Sequence, residues 1–89
     1  MLNNNKMSLE LLLNYLRQRL LDARSQHDEQ SLRELEAALD LLTQAAYASG
    51  DKAVASVLEE LEDSTRDSLT GVEWKSNIPS IDAIKAALS

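Results

Sequence analysis

The chain has no cysteine and no phenylalanine, one proline, one tryptophan, two glycines and two tyrosines in 89 residues. Each scarcity closes off a class of structure or chemistry. Without cysteine there is no disulfide, no thiolate metal site and no cysteine nucleophile. Gly50 and Gly71 stand alone, so no glycine-rich loop is available to cradle a phosphate. So few glycines and prolines, with no β-branched runs, leave out the turns and strands of an all-β or α/β fold. His27 is the only histidine, so zinc lacks ligands and no serine has an assignable base. Long apolar runs are missing as well. The leucines of the opening MLNNNKMSLELLL are interrupted by Glu10 and Asn14, and the stretch is far shorter than a membrane span. Its polar asparagine run, with no small-residue cleavage site after it, does not read as a signal peptide. The expectation is a cytoplasmic protein with a disordered lead over residues 1–7 and one helical domain over 8–89.

What is present is leucine and alanine, both strong helix formers, at helical spacing. Leu9, Leu13, Leu16, Leu20 and Ala23 step 4-3-4-3, with Leu12 at the edge, and predict a helix over about 8–25. Leu32, Leu35, Leu39, Leu42 and Ala46 continue the pattern in a second helix over about 31–49. Ser31 and Glu34 have the spacing of a capping box, and Gly50 suits a left-handed helix end. Ala38, Leu41, Ala45 and Ala48 widen the apolar arc of this helix to roughly 200° at 100° per residue. An arc that wide asks for neighbours on two sides, which makes the second helix the expected centre of the fold.

Asp51 caps a third helix over about 51–68, with Val54, Val57, Leu58 and Leu61 on a narrow stripe that Leu69 extends. Polar Thr65 and Ser68 interrupt the stripe, so this helix is expected to loosen after Leu61. The short Ser49-Gly50-Asp51 turn folds helices two and three antiparallel, and Ala45, Ala46, Ala48, Ala53 and Ala55 around it allow close approach. The segment VEWKSNIPS is read as an irregular connection. Ser80 then caps a short last helix over about 80–88, with Ile81, Ile84 and Leu88 on one face. The fold class is all-α: a small antiparallel bundle of three main helices plus a short C-terminal one.

The formal net charge is −6. Residues 1–25 are mildly basic, through Lys6, Arg17, Arg19 and Arg24 against Glu10 and Asp22, so the negative excess lies in residues 26–73. This balance repels phosphate backbones and argues against nucleic-acid binding. No catalytic group, cofactor or metal is expected, and no membrane association.

Three features are candidates for binding a protein. Leu11 and Tyr15 are four residues apart and off the main stripe of helix one, so they either pack on another element or face a partner. Trp74 with Ile81, Ile84 and Leu88 reads as a lid on the core or as a helix-in-groove motif. Glu59, Glu60, Glu62, Asp63 and Asp67 form an acidic surface on helix three, suited to solubility or to a basic partner.

The leading expectation is a non-enzymatic interaction module, a small regulator, adaptor or chaperone-like subunit acting through helical surfaces. The alternatives are an acidic inhibitor that blocks a basic nuclease or DNA-binding partner, and a purely structural self-associating element. In size, acidity and helical class the chain resembles bacteriocin immunity proteins. None of their motifs is present, so the resemblance assigns no residue a role. The 3-4 leucine spacing fits packing within one chain and between chains, and the short length favours a homodimer.

Overall fold

The computed structural model describes residues 3–71 and 78–89, with side chains from Ser8 onward. Among the described residues are four helices: α1 (Asn3–Ser25), α2 (Glu29–Ala48), α3 (Lys52–Thr70) and α4 (Ile81–Leu88). Among the described residues there is no strand. The helices pack into a bundle measuring 40 × 22 × 21 Å, around one core assembled from all four.

The heptad spacing selects that core. Leu13, Leu16, Leu20 and Ala23 of α1 are buried, as are Leu32, Leu35, Leu39 and Ala46 of α2 and Val54, Val57, Leu58 and Leu61 of α3. Leu9, Leu42, Leu69 and Leu88 are partly buried against them. Leu13, Leu20, Leu39, Leu61 and Ile84 are almost wholly removed from water, each contributing about 1.5–3 kcal/mol of transfer free energy. Leu12, at the edge of the α1 stripe, remains exposed.

Five expectations are corrected. First, α1 begins at Asn3, ahead of Ser8. Second, Asp28 rather than Ser31 caps α2. Its carboxylate accepts from the Ser31 amide at 3.1 Å and from the Ser31 hydroxyl at 2.7 Å, so Ser31 lies inside the helix and the Ser31–Glu34 capping box does not form. Asp28 offers the same short side-chain acceptor three residues earlier, which starts the helix at Glu29.

Third, α3 does not loosen after Leu61 but continues to Thr70, and Ser64 and Thr65 are fully buried. The Thr65 hydroxyl donates to the Leu61 carbonyl at 2.7 Å, which satisfies it inside the core. Thr43 does the same towards Leu39 in α2. Fourth, the narrow apolar stripe of α3 fits a helix packed on one side only, and the structure packs it on more than one. It touches all three other helices, and its buried set extends through Ala55, Glu62, Ser64 and Thr65.

Fifth, α2 is not the centre. It lies mainly against α3, touches α1, and makes no contact with α4. The short helix α4 docks on α1 and α3 instead. Ser80 caps it by accepting from the Ala83 amide, Ile84 enters the core, and the Arg17 guanidinium donates to the buried Pro79 carbonyl at 2.9 Å. Ala38, Leu41, Ala45 and Ala48, the residues expected to meet a second neighbour, are therefore left exposed.

Candidate functional site

Helix periodicity decides which apolar side chains stay outside. On α1, Leu11 and Tyr15 point away from the core positions 13, 16 and 20, and they are 69% and 59% exposed. Leu12, three residues before Tyr15, borders them. Neither Leu11 nor Tyr15 is covered by α4.

The C-terminal candidates divide. Ile84 is wholly buried and Leu88 partly buried against the core, so both hold α4 in place, while Ile81 at the first turn is exposed. Trp74 lies outside the described residues.

The acidic residues of α3 differ in exposure and in their partners. Glu59 accepts from the Tyr47 hydroxyl of α2 at 2.6 Å, and this bond raises the Tyr47 pKa above its ordinary value. Glu62 is buried beneath Arg66, which also reaches Asp63 on α3 and Glu36 on α2, at 3.2–3.4 Å. Burial, then the nearby Asp40 carboxylate, pushes the Glu62 pKa up, while Arg66 opposes the shift. Asp67 is half-buried and contributes charge to the Arg24 environment, and Glu60 is exposed. Four of the five are thus drawn into contacts between or along helices. Among the described residues no group of three or more carboxylate or imidazole side chains is placed to hold a metal ion. No helix there is long and apolar enough to cross a membrane.

Sequence reasoning missed two places. One is a cavity of about 280 Å³ at the α1–α2 turn, lined by Arg24, His27, Glu29, Leu32, Ser68, Leu69 and Gly71. Arg24 is 7% exposed there, and burial lowers its pKa while Asp67 opposes the change. A basic residue among core leucines gave no signal, because its spacing from Leu20 fits a stripe edge as well as a solvent face. The other is the uncovered face of α2. Leu41 is 68% exposed at its centre, with Ala38, Ala45 and Ala48 around it. The wide apolar arc was its signal, although the sequence pattern implied cover from within the chain.

The arrangement brings three carboxylates, Glu36, Asp40 and Glu62, together in one groove beside Arg66. What it presents is apolar surface on two different helices. Comparison with family models, curated proteins and solved structures gives no match to this chain.

Proposed function

We propose that this chain is a non-enzymatic interaction module, a small regulator or adaptor that binds a protein partner through the outer face of α1. The observation that carries this reading is the exposure of Leu11 and Tyr15 together, bordered by Leu12. Side chains at i and i+4 are neighbours on a helix, so the three form one apolar patch. Monomers seldom leave such side chains clustered in water, and a patch of this kind marks a binding surface. A Leu–Tyr pair one turn apart fits the helix-in-groove mode, where two large side chains enter pockets of an apolar cleft. The contacts of the acidic residues of α3 with Tyr47, Arg66 and the Arg24 region favour this reading over an acidic inhibitor.

The test is a photo-crosslinking residue placed at Tyr15 in the native cell. A discrete adduct with another protein is expected. It should disappear when Leu11→Asp is added, because a hot-spot truncation weakens binding at least about tenfold. No adduct, or one indifferent to Leu11→Asp, overturns the proposal.

A further inference from the structure

The short helix α4 is held less firmly than the other three. It has eight residues, and helices shorter than about 12–15 residues are marginal in water on their own. Ser80 at its cap, Asp82 in its first turn and Lys85 in its last favour the helix at both ends, yet its position depends on docking. Ile84 is its one fully buried side chain, Ala87 and Leu88 are partly buried, and Ile81 is exposed. The docking face is therefore a single turn, Ile84, Ala87 and Leu88, at i, i+3 and i+4. Each of α1, α2 and α3 instead sinks four or more apolar side chains into the core.

The flank of α1 that receives α4 is imperfectly matched. Arg17 donates to the Pro79 carbonyl from this flank at 2.9 Å, and Asn14 lies one turn before it on the same side. The Asn14 Oδ1 is buried, and among the described residues no donor reaches it. A buried acceptor without a donor disfavours the docked state, whereas water satisfies the same oxygen once α4 lifts.

We infer that α4 leaves its place by local opening while α1, α2 and α3 stay folded, and that the vacated α1–α3 groove binds an amphipathic helix with the apolar spacing of α4. The helix already seated there defines the occupant: a large aliphatic residue followed three and four residues later by a small and a large one. α4 is thus a ligand in cis that keeps the groove closed, and a helix of the same pattern in trans competes with it.

Tethering sets the scale. The chain between Gly71 and Ile78 gives α4 an effective concentration of about millimolar at its groove. One buried isoleucine supports a docking equilibrium on the order of 10–100 in favour of the closed form. The same helix added as a free peptide therefore binds the open groove with a Kd on the order of 10–100 µM, and the closed one only near about millimolar. None of this involves Leu11 or Tyr15, so the inference stands apart from the partner surface on the outer face of α1.

Hydrogen exchange of the full chain tests the opening. The amides of residues 84–88 should be protected only about 10–100-fold, at a level that low urea leaves unchanged, because local opening exposes little surface. Those of Leu20, Leu39 and Leu61 should be protected about a thousandfold or more. A fluorescent peptide of residues 78–89 then tests the groove. It should bind the full chain carrying Ile84→Asp, whose own α4 no longer docks, at least about tenfold more tightly than the wild type. The same peptide carrying Ile84→Asp should bind neither. Helical circular dichroism of the variant chain should fall by no more than the eight residues of α4. Amides of α4 as slow as those of the core, an Ile84→Asp chain that unfolds, or a peptide that binds both chains alike or neither overturns the inference.

Discussion

Glu62 and Asp28 are both acidic residues at helix contacts, and their environments pull in opposite directions. Glu62 sits on α3 facing Glu36 and Asp40 from α2, with Asp63 and Arg66 on its own helix. Burial raises its pKa above the ordinary 4.5, with Asp40, Asp63 and Glu36 adding and Arg66 opposing. The folded state therefore holds a proton that the unfolded state has already released. Stability falls as pH rises through the window above 4.5, and the deficit persists at neutral pH. Glu62→Gln keeps the shape and removes the buried charge, while Arg66 retains Glu36 and Asp63. The variant should melt at or above the wild-type temperature at neutral pH, with the gap closing as pH falls towards 4.5. A lower melting temperature at neutral pH would instead mean that the Arg66 ion pair outweighs the burial. For Asp28 the hydrogen bonds from the Ser31 hydroxyl and amide lower the pKa below 3.8. Its contribution is present above that value and is lost as pH falls below it.

The turns at the two ends of α2 follow one design with different residues. At the first, the Asp28 amide donates to the Ala23 carbonyl at 2.9 Å. At the second, the Asp51 amide donates to Ala46 at 3.0 Å. In each the residue before the aspartate is left-handed, His27 at φ +53° and Gly50 at φ +80°, and the aspartate then caps the next helix. A left-handed conformation costs a residue with a Cβ about 1–2 kcal/mol, against about 0.5–1 kcal/mol of extra unfolded-state entropy for glycine. His27→Gly should therefore raise the unfolding free energy by roughly 0.5–1 kcal/mol, read as a higher midpoint in urea with unchanged slope. A lowered midpoint would mean that His27 side-chain contacts outweigh the backbone strain. The second turn was legible in the sequence because glycine followed by aspartate announces both halves of the geometry. The first was not, because histidine does not single out a left-handed position as glycine does, and the Ser31–Glu34 spacing offered a competing start. The buried Thr65 was illegible for a related reason. A hydroxyl bonded to the carbonyl one turn back behaves as a core residue, and periodicity scored by polarity cannot register that.

At the scale of the whole molecule, the placement of α4 decides which apolar residues become surface. The heptad positions of α1, α2 and α3 were readable because one residue in three or four must face the core whatever the tertiary arrangement. The apolar arc of α2 was also readable, but its second half was assigned to a neighbour within the chain. Nothing in the residue types of α4 says which pair of helices its Ile84 will enter, and it enters beside α1 and α3. Two leucines two residues apart on α2 therefore differ completely in their surroundings: Leu39 is wholly buried and Leu41 is 68% exposed. Leu39→Ala should cost about 2–5 kcal/mol, through lost transfer energy and the cavity left behind. A domain of this length has on the order of 5–13 kcal/mol of total stability, so the loss is a large part of the whole. It should lower the melting temperature by about 10 °C or more, at about 4–8 °C per kcal/mol. Leu41→Ala should change stability by no more than about 0.5 kcal/mol. Paired thermal melts of the two variants read the orientation of α2 directly. A Leu41→Ala loss as large as that of Leu39→Ala would mean that α2 is covered on both sides.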